Sequence, residues 1–145
     1  MGYRFEFDAV NRILLSRIEG AVTNQLMVEH RNRVRDYARA TDAKAFILDF
    51  TLAESFEMSS DLIRQLASSA PTVDANYPRV MVVPTQLSYG LGRMFQIVSG
   101  SRRPHLTLAS TLEEALASLE AKTPKFENVE IVGPDLELRI DRKIG

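Results

Sequence analysis

The sequence predicts an α/β fold built on a mostly parallel sheet of about five strands with about four helices. Three observations carry this. Apolar segments at 45–50, interrupted by Asp49, and at 79–83 read as strands buried on both faces, and 106–109 as a further short strand. Each is preceded and followed by a stretch with helical spacing of apolar residues. Strictly alternating helix and strand implies crossover connections and therefore parallel pairing.

The elements follow in order. Tyr3, Phe5 and Phe7 alternate with Arg4, Glu6 and Asp8, a half-exposed strand. Asn11-Arg12 makes a turn, and a second strand over 13–18, ended by Gly20, pairs antiparallel with the first. Thr23 or Asn24 caps a helix running to about residue 40. Its inward stripe is Leu26, His30, Val34, Tyr37 and Ala38, with Arg31, Arg35 and Arg39 opposite. After the strand at 45–50, a loop through Glu54-Ser55-Phe56-Glu57 leads to a helix beginning at Ser59-Ser60-Asp61 and stopped by Pro71.

The strand at 79–83 closes at Pro84, and Thr85 caps a third helix with Leu87, Leu91, Met94, Phe95 and Val98 inward. Ser110 or Thr111 caps a fourth helix, and Thr111-Leu112-Glu113-Glu114 fits the Ser/Thr-x-x-Glu capping box. The tail differs from all this. Segments 129–132 and 136–140 alternate around Gly133-Pro134-Asp135 and predict a β-hairpin. Residues 1–121 therefore form the domain, and 122–145 a C-terminal extension hinged at Lys122-Thr123-Pro124-Lys125. An isolated hairpin is marginal in water. Its apolar residues Val129, Ile131, Leu136, Leu138 and Ile140 call for a covering surface, favouring a homodimer contact.

Composition narrows the class. The 145 residues are 45% apolar and 26% charged, with 18 basic and 19 acidic side chains. Such a balance excludes disorder and excludes nucleic-acid binding by bulk charge. The absence of Cys removes disulfides, thiol nucleophiles and cysteine-ligated metals. Apolar runs such as Ala45-Phe46-Ile47-Leu48 are too short to span a membrane. The first residues read as a strand rather than a signal peptide, and Glu6 stands where a myristoylation motif has Ser or Thr. A cytoplasmic location is the expectation.

No phosphate loop, nucleophile elbow or His-Glu-x-x-His is present, and Phe95 occupies the third glycine position after Gly90-x-Gly92. The two histidines, His30 and His105, are far apart, so neither a metal site nor a cofactor is expected. Two segments do stand out. Ser59 and Ser60 lie at a helix N-terminus on the C-terminal edge of the sheet, where ligands bind in open α/β folds. They serve either as an N-cap or as an anion or phosphorylation site. Thr85, Tyr89, Gly90, Gly92 and Arg93 lie in the turn after the next strand, where two glycines serve either close packing or backbone approach to a ligand.

The segment from Phe46 to Leu62, with Phe56-Glu57-Met58-Ser59-Ser60-Asp61-Leu62 at its end, resembles the STAS domain, also called SpoIIAA-like. Val82-Val83-Pro84 followed by Tyr89-Gly90-Leu91-Gly92-Arg93-Met94-Phe95 is similar to a bacterial STAS/SEC14-like branch, as is the closing helix from Thr111 to Leu119. The resemblance covers roughly residues 3–121. It implies the SpoIIAA-like fold and places Ser59 where the anti-sigma antagonists carry a phosphorylated serine. Met58 stands where that pattern has Asp and Asp61 where it has Gly, and an acid beside a phosphoserine repels it.

Two functions are expected to compete. One is a non-enzymatic regulatory module with a protein partner, switched or not at Ser59. The other is a binder of a small anionic or amphipathic, lipid-like ligand held near Arg93 and Ser59, which requires a pocket of ~300 Å³ or more. An enzyme ranks behind both, and would draw on Asp49, Tyr89 and Arg93.

Overall fold

A computed structural model of the chain describes residues 2–132 and 137–141. The sheet runs β5-β4-β3-β2-β1-β6-β7. Its strands are β1 (Tyr3–Asp8), β2 (Ile13–Thr23), β3 (Ala45–Glu57), β4 (Arg79–Val82), β5 (Leu106–Ala109), β6 (Glu127–Val132) and β7 (Glu137–Asp141). The helices among the described residues are α1 (Asn24–Thr41), α2 (Ser60–Ser68), α3 (Gln86–Ser99) and α4 (Leu112–Ser118), as expected in number.

The α/β class stands, but the sheet is mixed and has seven strands rather than about five. β2, β3, β4 and β5 pair in parallel, whereas β1–β2, β1–β6 and β6–β7 pair antiparallel. The cause is the tail. β6 hydrogen-bonds along the free edge of β1, so the hairpin extends the main sheet instead of standing apart from it. Its inward residue Val129 is buried with Phe5, Phe7 and Tyr37, and Ile131 and Leu138 pack on the same cluster. The Ile131 amide donates to Tyr37 Oη at 3.1 Å. Val129, Ile131 and Leu138 are therefore covered by their own chain, whereas Ile140, opposite Val129, remains 39% exposed. The expected turn at 133–135 and Leu136 lie outside the described residues.

Strict alternation along the central strands sends their residues to two layers. Ile13, Leu15, Ile47, Val80 and Val82 meet Ala115 of α4 on one face. On the other face Leu14 meets Val34 and Tyr37 of α1. Further along, Ile18, Phe50, Met81 and Val83 meet Met27 of α1, Leu62 and Leu66 of α2, and Phe95 of α3. Three helices thus cover one face and one helix the other.

Two strands outrun their expected ends. β2 continues past Gly20 to Thr23 and β3 past Phe50 to Glu57, with Val22 opposite Phe56 and Thr23 opposite Glu57. The segment expected as a loop over 54–57 is strand. Gly20 adopts φ of 74° without ending β2, because the parallel ladder absorbs register shifts on either side of it. The ladder carries both chains to the starts of α1 and α2. Thr23, not Asn24, is the N-cap of α1, accepting from the Leu26 amide. Asn24 is freed to bind across to the next helix.

In α3 the two glycines sit inside the helix rather than in a turn before it. Gly92 is buried, and a Cβ there would lie 3.2 Å from Val83 Cγ1 and 3.4 Å from Leu108 Cδ2. Gly90 faces open space. Leu87, expected inward, is 59% exposed because the buried N-terminal position is taken by Ser88, which completes the capping box with Thr85. Gly90→Ala is expected to stabilise the protein by about 0.5–1 kcal/mol. Gly92→Leu is expected to destabilise it by roughly 1–3 kcal/mol through overpacking. Urea unfolding of both variants checks the contrast, and equal shifts would sink the packing role of Gly92.

Candidate functional site

Between α1, α2, α3 and the sheet lies a cavity of about 140 Å³. Its walls are mostly apolar: Leu48 and Phe50 from β3, Phe56 and Met58 from the strand end and the residue after it, Leu66 from α2, and Leu91 and Phe95 from α3. It arises where α2 and α3, packed on each other, bridge over β3, β4 and β5 while α1 closes the side. Its volume is less than half of the ~300 Å³ at the small end of ordinary ligand pockets. Phe50, Phe56 and Phe95 contribute three aromatic rings to its wall.

Polar groups enter this wall at defined places. His30 of α1 is 3% exposed, with Nε2 2.6 Å from the buried Ser16 Oγ. Phe5 stacks on its ring and Tyr3 meets it edge-on. Burial pushes its pKa down to about 3, so it is neutral at pH 7. The stripe position expected for His30 is thus a core position, with Ser16 as partner.

At the other side, near the N-terminal end of β4, stand Arg31, Arg79 and Arg103. Arg103 donates to Ala67 O at 2.8 Å and to Leu66 O, Ser69 O and Ser99 Oγ at 3.2 Å, and lies over the Phe95 ring. Arg79 Nη2 donates to Val73 O at 2.8 Å and to Asp74 O, fastening the segment between α2 and β4. Arg31, expected on the solvent face of α1, instead reaches Ala70 O at 3.1 Å and lines the cavity. Desolvation, then repulsion by Arg79, Arg31 and Arg102, lowers the Arg103 pKa to about 10.

The sequence-predicted residues lie elsewhere. Ser59 is exposed and caps α2, accepting from the Leu62 amide at 3.1 Å. Asn24 grips it from α1, taking the Ser59 amide on Oδ1 at 2.9 Å and donating Nδ2 to Ser59 Oγ at 3.4 Å. Ser60 is exposed and begins α2. Thr85 caps α3. Tyr89 and Gly90 are exposed on α3, and Arg93 donates to Gln96 Oε1 at 2.7 Å on the same helix. Of the expected ligand-binding set only Gly92 lines the cavity, where its neighbours Ser88 and Leu91 join it.

Asp49, Tyr89 and Arg93 do not converge. Asp49 is buried on the α4 side of the sheet, beside Arg17 at 3.6 Å and accepting from the Thr51 amide at 2.9 Å. Tyr89 and Arg93 are on α3, across the sheet. Among the described residues no group of three or more His, Asp or Glu side chains is placed to hold a metal ion. Nor is any helix among them long and apolar enough to cross a membrane.

Sequence reasoning passed over Arg79 and Arg103. One signal was present: Arg79 opens a run, Arg79-Val80-Met81-Val82, buried at all four positions. A charged residue within such a strand needs carbonyls or a counter-charge around it. Comparison with family models, curated proteins and solved structures finds no match to this chain.

Proposed function

We propose that the chain is a non-enzymatic binding module of STAS-like, SEC14-like architecture, and that it takes up a small ligand with an apolar body. The observation that carries this is the apolar cavity beneath α1, α2 and α3. Well-packed interiors hold few voids larger than a water molecule. A dry apolar cavity of about 150 Å³ is large enough to hold benzene. The order of β1 to β5, with β1 antiparallel to β2 and a parallel run behind it, supports the resemblance to the STAS fold. A cytoplasmic location goes with this reading.

Benzyl alcohol serves as a probe. At a concentration of 100 Kd it is expected to stabilise the fold by about 2.7 kcal/mol. Leu48→Phe, which extends a ring into the cavity, is expected to abolish that gain while the protein stays folded. Calorimetric titration of both proteins checks this. Absence of binding to the parent, or equal binding to the filled variant, ends the proposal.

A regulatory role is the second reading, favoured by the exposure of Ser59 and its link to Asn24. A phosphate on Ser59 Oγ replaces the hydroxyl that Asn24 Nδ2 donates to at 3.4 Å and sets a charge at the α2 N-terminus, while the Ser59 amide bond to Asn24 Oδ1 is untouched. Mass spectrometry of protein from its native cell is expected to find phosphate there, and its consistent absence removes this reading. A homodimer would use the outer edge of β7, where Ile140 is 39% exposed. Sedimentation of the intact chain across concentrations tests it.

A further inference from the structure

Three guanidinium groups lining one small apolar cavity are unusual company. Arg79 is 6% and Arg103 8% exposed. Among the described residues none of Arg31, Arg79 and Arg103 forms an ion pair with a carboxylate. Among the described residues no Asp or Glu lines the cavity. The Asp74 side chain acts on Arg79 only through space and accepts instead from the Asn76 amide. Buried charges are ordinarily paired, because an uncompensated one carries a desolvation cost of several kcal/mol.

Backbone carbonyls answer part of this need. Those on Arg103 belong to the last turn of α2 and its cap, and those on Arg79 to the segment that follows. Among the buried side-chain nitrogens of the described residues, one is left over. Arg79 Nε is buried and has no hydrogen-bond partner. A native buried donor without a partner calls for a specific explanation. Arg79 lies on the cavity face of the sheet, in the row formed with Phe46 and Leu106, both of which also line the cavity.

We propose that the cavity selects a small monocarboxylate with an apolar tail of about benzene size, its carboxylate accepting from Arg79 Nε and its tail lying against Leu48 and Phe95. This rests on the cavity being the ligand site. The ligand charge offsets the mutual repulsion of Arg31, Arg79 and Arg103, which adds to desolvation, the larger cause, in lowering the Arg103 pKa. The volume matches a single ring or a short branched chain and not a long acyl chain. The anion end lies at the N-terminal end of β4, away from Ser59 and Arg93.

Benzoate and benzyl alcohol have nearly the same shape and differ in charge, so their affinities for the full-length chain separate the two claims. A hydrogen bond to a charged group contributes ~1.5 kcal/mol or more, so benzoate is expected to bind at least about tenfold tighter. In Arg79→Gln the ratio is expected to fall towards one. Arg79→Lys, which keeps a cation but removes Nε, is expected to fall between. Equal affinities in the parent overturn the carboxylate assignment while leaving the cavity as a binding site. No binding of either compound overturns the cavity reading and this inference with it. A preference that survives in Arg79→Gln overturns the role of Arg79. The parent ratio decides the ligand class even where a variant does not fold.

Discussion

Acidification from pH 7 to pH 4 is expected to cost the protein about 3 kcal/mol more than it costs a His30→Gln variant. His30 has a folded-state pKa of about 3 against an ordinary value of 6.5. Below pH 6.5 the unfolded chain takes up a proton on this imidazole and the folded chain does not. The unfolded state is therefore stabilised progressively as pH falls, and the loss is complete only near pH 3. At full extent the lowered pKa corresponds to roughly 5 kcal/mol, a large share of the 5–15 kcal/mol typical of a domain. The cause is burial between Phe5, Tyr3 and Ser16, which penalises a charged ring. Glutamine keeps a group for Ser16 to hydrogen-bond and cannot titrate in this range. Urea unfolding of both proteins at pH 7, 5.5 and 4 checks the difference. Parallel pH profiles for the two would show that His30 is not the titrating group.

Arg103→Ala is expected to lower stability by about 3 kcal/mol, or roughly 10 °C in Tm for a chain of this length. Helix ends leave carbonyls without intrahelical partners. At the end of α2 those of Leu66, Ala67 and Ser69 receive the Arg103 guanidinium, which also favours the negative end of the helix dipole. The same group reaches Ser99 Oγ and covers Phe95. One side chain thus ties α2, α3 and the loop before β5, and truncation leaves several buried acceptors unmet. Arg103→Lys is expected to recover less than half of the loss, because three donors on a flexible stem do not match the planar fork. Thermal unfolding of the three proteins reads this directly. A loss below about 1 kcal/mol for the alanine variant would remove Arg103 as a brace.

These two residues also mark the limit of what local pattern reveals. His30 was placed correctly on the inward stripe of α1 by helical spacing, but nothing near it in sequence announces Ser16 and Phe5 as its surroundings. The caps Thr23, Ser59, Thr85 and Thr111 were readable because a cap is a contact over three residues. Leu87 was misplaced because the third helix turns its capping Ser88 inward, which sets the phase of its first turn. The extensions of β2 and β3 were missed because each is supported by the other across the ladder, not by its own alternation. The cavity residues come from six elements, and Arg79 and Arg103 meet only after β4, α2 and α3 have packed.

By itself, then, the sequence determined the α/β class, the order of strands and helices and most helix starts, since each depends on residues within one or two turns of each other. Only the tertiary structure decided that the hairpin completes the sheet at β1, that Gly92 serves packing, and that the cationic end of the cavity is built from Arg31, Arg79 and Arg103. The physical reason is that periodicity records which side of an element faces inward, whereas the burial of a charge or a free strand edge is a property of what the rest of the chain brings against it.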